Sequence, residues 1–381
     1  MDFDLSDEQR LIKDSVVRLM ADRYSFADRK KYVAAEEGFS TTLWAQYAEL
    51  GLLGAPFEER FGGFGGGLVE TMIIMEAFGG KLAVEPFMGT VVLGGGLLRH
   101  AGSEAQREAM IPQIIEGALT LAFAHQERQA RYDLGDVKTR ARRDGDHWVI
   151  DGEKSLVLNG DSADKLIVSA RISGGQRDHD GLALFIVDAK AQGVSRRGYP
   201  TQDGLRAAEI TFTDVRALEP LGEPGQAFPI ISRVTDEAIA ALCAEAVGAM
   251  SALNELTVGY LKQRKQFGVA IGTFQVLQHR ASEMVIALEQ ARSMAMLATM
   301  MAGEDDVDAR EKAISAAKVQ VGLSGRFVGQ SATQLHGGIG VTMEYESGHY
   351  FKRLTMINAA YGDVDHHISR LARMGGLFAA A

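Results

Sequence analysis

The sequence predicts an α–β–α protein, with a helical domain over 1–118, a β domain over 119–226 and a helical bundle over 227–381. Two observations carry this expectation. Apolar residues recur at helical spacing in the first and last stretches, whereas short β-branched runs punctuated by Gly, Asp and Asn fill the middle. With 381 residues, 46% of them hydrophobic, the chain is long and apolar enough for more than one core.

The elements follow in chain order. Ser6 begins a helix-start signal, with Glu8 and Gln9 in the first turn and Leu11, Ile12, Val16, Val17 and Met20 on one face. Helices are expected over 43–53 and 68–78. Between them lies Glu59–Gly67, ERFGGFGGG, which is predicted to be a tight turn. No strand precedes it and no Lys-Ser/Thr follows, so it does not fit a phosphate loop. Strands are expected over 119–125, 147–160, 164–172, 181–189 and 208–215, with hairpin turns at Asp144-Gly145 and Asn159-Gly160. Beyond 220–225 the helical period returns over 238–263, 274–301, 306–334 and 365–374. These segments are rich in Ala, Met and Leu, as in an oligomerising bundle.

Composition excludes several classes. The formal net charge of -10 argues against nucleic-acid binding, which needs a basic surface. The lone Cys243 lies in an apolar stretch and is expected to be a buried core thiol. The acidic, helix-forming start is not a signal peptide, and no sustained apolar run predicts a membrane span, so a cytoplasmic address is expected.

Two motifs then stand out, Arg264-Lys265-Gln266-Phe267-Gly268 and Gln334-Leu335-His336-Gly337-Gly338-Ile339-Gly340, with Gln275 between them. Together with the α–β–α order and the Glu/Gly-rich loop, they make the whole chain resemble the acyl-CoA dehydrogenase family. That resemblance implies the family's fold: an N-terminal α-helical domain, a central β-barrel-like domain and a C-terminal four-helix bundle. It also implies FAD, an acyl-CoA substrate that is α,β-desaturated, and electron-transfer flavoprotein as acceptor. By the same resemblance Arg264, Phe267, Gln275, Gln334, Gly337 and Gly338 bind FAD whose ring lies in a neighbouring subunit. The chemistry suits the task, since Arg presents a fork to phosphate oxygens and glycines let N–H groups approach an anion.

The chain departs from the family at the catalytic base. The family's Tyr-Glu-Gly-Thr glutamate corresponds to a stretch reading AAYGDVDHHISRL, 359–371. Counting from Gly337 places Tyr361 there, and aligning the later Ile368–Leu371 places Asp363. The alternative position on the long central helix holds Ala238, with Glu237 about 100° away round the helix. The flavin-ring stretch reads Gln126–Asp133, and Leu156 and Leu158 stand where the family has tryptophan and threonine, while Lys154, Asn159 and Gly160 are kept. The expectation is therefore a heteromeric (α₂β₂) enzyme, as known in the family for dicarboxylyl-CoA and steroid side-chain substrates. This chain would supply the adenosine side of the FAD site beside a sister subunit holding the base. The competing readings are a self-contained homotetramer using Asp363, a structural partner without ligand, and a flavin monooxygenase on the same fold. Asp363 and Glu237 are the candidate bases within the chain.

The cluster Asp363, Asp365, His366 and His367 is expected to start a helix rather than hold a metal, because adjacent helical positions diverge. His336 is expected to be structural, and Met294, Met296, Met300 and Met301 to be packing residues.

Overall fold

A computed structural model describes residues 5–217 and 219–375. The helices are α1 (Asp7–Arg23), α2 (Phe26–Val33), α3 (Thr41–Glu49), α4 (Leu68–Gly79), α5 (Gly95–Ala101), α6 (Glu104–Ile115), α7 (Phe228–Gln263), α8 (Gln275–Met301), α9 (Val307–His336), α10 (Glu346–Ala359) and α11 (Val364–Arg373). Between α6 and α7 run β1 (Leu121–Ala124), β2 (Arg140–Asp144), β3 (His147–Leu158), β4 (Lys165–Arg171), β5 (Leu182–Asp188), β6 (Val194–Pro200), β7 (Arg206–Ala217) and β8 (Glu219–Gly225). A short hairpin, β9 (Lys265–Gln266) and β10 (Val269–Ala270), separates α7 from α8.

The chain forms two compact units, one of residues 1–30, 68–83 and 239–381, the other of 31–67 and 84–238. In the first, helical unit, α9 packs against α8, α10 and α11. Helices α4 and α7 approach closely because glycine allows it. A Cβ at Gly79 would run into the Glu245 carbonyl, and one at Gly248 into that of Glu76. Arg353 of α10 forks onto the buried carboxylate of Glu245, 2.6 Å on each side. The start of α1 follows its sequence signal. Ser6 and Gln9 form a reciprocal capping box.

The second unit carries one mixed sheet in the order β6-β7-β3-β2-β4-β5-β8, with β1 parallel to β4. Its inner face buries Ile150, Leu166, Val168, Phe185, Val187, Ile210 and Phe212. Asp144-Gly145 forms the expected tight turn, joining β2 to β3 with Asp144 opposite His147. Asn159-Gly160 also turns the chain, but it makes no hairpin. The β3 strand pairs with β2 and β7, and β4 pairs elsewhere. The Arg171 guanidinium at the end of β4 donates to six main-chain carbonyls, those of Gly135, Val137, Ser173, Gln176, Asp178 and Asp180, at 2.8–3.4 Å. It thereby gathers the loops before β2 and after β4.

Helix α7 is more apolar than the sequence reading allowed. By length and composition it could cross a membrane, yet 78% of its most apolar window is buried inside the chain. Buried contact explains that apolarity without a bilayer.

Candidate cofactor and catalytic site

All six residues predicted to meet FAD lie in the helical unit. Helix α7 ends just before the β9–β10 hairpin, whose tip is Phe267-Gly268. Both tip residues have positive φ, 54° and 83°, as a tight two-residue turn requires. Phe267 is 92% exposed, its ring 6.1 Å from that of Phe274. The exposed Arg264 side chain has no ion-pair or hydrogen-bond partner among the described residues. Its backbone is fixed, since its N–H donates to the Tyr260 carbonyl (2.9 Å) and its carbonyl accepts from Ile271 (2.8 Å).

Two contacts place the other residues at the same end. Tyr260 and His336 have ring centroids 4.7 Å apart, so the last turns of α7 and α9 adjoin. Arg280 reaches Ser331 at 3.4 Å, so the start of α8 runs beside the end of α9. Gln275 opens α8 and Gln334 sits in the last turn of α9, both exposed. Gly337 ends α9 with φ of 64°, and a Cβ added at Gly337 or Gly338 would meet nothing within 4 Å. Helix α8 has no side-chain cap at its N-terminus, so its first N–H groups remain available. An unpaired guanidinium, an uncapped helix N-terminus and a glycine pair with open space around it lie at one end of the unit, although the Gly337 N–H itself donates to the Thr333 and Gln334 carbonyls. That donor set suits a diphosphate.

The candidate bases are differently placed. Asp363 caps α11, its Oδ1 accepting the His366 N–H at 2.9 Å. Tyr361 precedes it with φ of 54°, and burial raises its phenol pKa. Glu237 is buried in the other unit, accepting from Arg99 at 2.9 Å and lying 2.7 Å from His100 Nε2. Burial alone would raise its pKa, but the His100 hydrogen bond and the Arg99 charge outweigh that and hold it below the ordinary value. Both carboxylates are engaged in the fold. His367 is buried between Ser315 Oγ (3.2 Å) and the Tyr361 carbonyl (3.1 Å), and no three metal-binding side chains converge among the described residues.

In the β unit the sequence reading missed a buried polar network. Lys154 Nζ donates to Glu127 Oε1 (2.8 Å), Ser169 Oγ (3.1 Å) and the His125 carbonyl (3.1 Å). Glu127 also accepts the N–H groups of Lys138 and Thr139. Burial lowers Lys154 to about 8 against the pull of Glu127. For Glu127 the burial penalty is overcome by the Lys154 charge and hydrogen bond, and the carboxyl falls to about 2. The sequence signal was Lys154 itself, kept in a strand that also carries Asp151, Glu153 and Ser155. Leu156 lies at a bulge of β3 with φ of 52° and is 38% exposed.

A groove of about 960 Å³ lies in the helical unit between α1, α4, α7 and α8, away from the cofactor residues. Met296 and Met300, expected to be packing residues, line it beside the Arg292–Glu76 ion pair.

Comparison with known proteins fits this layout. The chain matches the acyl-CoA dehydrogenase family over its N-terminal domain (residues 6–118), middle domain (122–215) and C-terminal domain (228–375). It therefore belongs to the acyl-CoA dehydrogenase family, a class of FAD-dependent oxidoreductases. It is 30% identical to the short-chain-specific acyl-CoA dehydrogenase of Clostridium acetobutylicum, covering 91% of this chain and 92% of that one. Among solved structures it resembles a variant of the Tcur3481–Tcur3483 steroid ACAD, with TM-score 0.87 and 30% identity over 97% of each chain. It also resembles the FAD complex of PigA, with TM-score 0.89 and 25% identity over 99% of this chain and 100% of that one.

Proposed function

We propose that this chain is the small, base-lacking subunit of a heteromeric acyl-CoA dehydrogenase. It supplies the adenosine side of the FAD site to a sister subunit that holds the flavin ring, the acyl-CoA and the base. One contrast carries the reading. Arg264, Gln334, Gly337 and Gly338 stand open on one surface, while Asp363 and Glu237 are consumed as a helix cap and an ion-pair partner. FAD, when bound, would supply the acceptor for the hydride of the acyl β-carbon. The Arg264 fork and the uncapped N-terminus of α8 would hold the diphosphate, and the exposed Phe267 would anchor the hairpin against the neighbouring chain.

The N-terminal stretch and the HYFKRL…GDVDHH segment resemble the small subunit of pimeloyl-CoA dehydrogenase, so a dicarboxylyl-CoA substrate is the first to assay. One structural neighbour is itself named for two components, Tcur3481 and Tcur3483. Electron-transfer flavoprotein would take the electrons in a cytoplasmic α₂β₂ assembly.

The test is to express the chain alone and with a co-encoded dehydrogenase-like chain, then measure flavin per chain and acyl-CoA oxidation. The expected result is flavin and turnover only on co-expression, at about one FAD per two chains, with Arg264→Ala removing the flavin. Turnover by the chain alone, abolished by Asp363→Asn, would instead establish the self-contained homotetramer.

A further inference from the structure

We infer that His336 is a positioning residue of the cofactor half-site, acting through its packing in a ring cluster and not through a bond to the ligand. The inference rests on the reading above, that this end of the helical unit receives the FAD diphosphate. His336 closes α9 between Gln334 and Gly337 and is 3% exposed. Its Nδ1 lies 2.8 Å from the Ala332 carbonyl, so Nδ1 carries the proton and Nε2 is left as an acceptor. That Nε2 is buried and has no partner. A buried acceptor without a donor opposes folding, and one sealed from solvent cannot reach a ligand. Shape is therefore what this ring supplies.

Its neighbours show what the shape does. The Tyr260 ring lies 4.7 Å away and the Tyr345 ring 5.2 Å away, with 6.4 Å between the two tyrosines. Each ring comes from a segment that carries or flanks part of the half-site. Tyr260 stands one turn before Arg264 and accepts its N–H. Tyr345 precedes α10, at the far end of the loop that begins with Gly337-Gly338. Gly340 folds that loop back so tightly that a Cβ there would lie 3.0 Å from His336 Cβ and 2.9 Å from the Thr333 carbonyl.

The side chains of Arg264 and Gln334 have no hydrogen-bond or ion-pair partner among the described residues. Their spacing is thus set by backbone, and the cluster of three tilted rings fixes one backbone segment against the other. Recognition of one cofactor by a guanidinium at one helix end and the Gln334 amide at another requires that spacing to hold within a fraction of an ångström.

The experiment uses the flavin-loaded assembly and compares FAD dissociation constants, read from the fluorescence of released flavin, with urea midpoints as the folding control. His336→Ala is expected to weaken FAD by about tenfold or more at a retained midpoint. His336→Phe keeps an aromatic ring and removes the orphan acceptor, so it should bind FAD within about twofold of the parent. Tyr345→Leu, which opens the ring cluster from its other side, should likewise weaken FAD about tenfold or more and serves as the test if His336→Ala does not fold. Unchanged affinity in both His336→Ala and Tyr345→Leu would overturn the inference. So would a phenylalanine variant as weak as the alanine one, because Nε2 would then be the group that matters. Arg264→Ala separates the two levels. If it retains flavin, the half-site reading fails and this inference falls with it. If it loses flavin while His336→Ala does not, only the role of His336 is wrong.

Discussion

At the residue scale, the sharpest physical statement concerns Lys154 and Glu127. Each is buried and 2.8 Å from the other, so removing one partner leaves an uncompensated charge in the β unit. Lys154→Met is expected to cost about 3–5 kcal/mol, measured by urea denaturation. The same network makes an acid-sensitive histidine. Burial, and then the Lys154 charge, lower the His125 pKa from 6.5 to about 3. The unfolded chain therefore binds the proton first. The stability His125 contributes is complete above pH 6.5 and is lost as pH falls toward about 3. His125→Asn should flatten that part of the urea-midpoint profile and leave the neutral-pH end nearly unchanged. An equal acid slope in both proteins would refute the assignment. Neither residue's role was legible in the sequence, because 27 positions separate the pair and only the loop after β1 folding along β3 brings them together.

At the element scale, the strongly periodic helices could be read from sequence and the weakly patterned elements could not. Helices α4, α8, α9 and α11 lie within two residues of their expected bounds. Strands β2, β6 and β8 were missed for physical reasons. Residues on β2 and β6 are mostly exposed and Arg-bearing, and β8 carries two prolines on an edge. Helix α10 begins at Glu346 after Tyr345, which makes no side-chain cap, so no start signal marked it. Helix α7 starts ten residues earlier than expected, with Pro229 in its first turn, where proline is tolerated. Asp363 shows how a candidate base can be a local structural device. Asp363→Ala should lower stability by about 1 kcal/mol, whereas Asp363→Asn, another good cap, should be nearly neutral in urea titrations.

At the scale of the whole molecule, the candidate cofactor residues were legible because they sit in contiguous motifs, and the structure gathers them at one end of one unit. What the motifs could not show is that this end is open. Phe267 projects from a turn whose positive φ also suits Asp or Asn, so its aromatic ring is not needed for folding. Phe267→Asp is therefore expected to leave the urea midpoint unchanged while lowering the assembled mass seen by light scattering. An unchanged mass would mean that the hairpin tip is not an assembly anchor.

The guanidinium of Arg171, ringed by six carbonyls, resembles in its oxygen shell what a bound metal ion would gather, with the difference that this cation is covalently part of β4. It cannot be chelated, exchanged or diluted away. The two loops it organises therefore share the lifetime of the strand itself and have no separate ion-loaded and ion-free states, so no change in calcium or chelator concentration can loosen them.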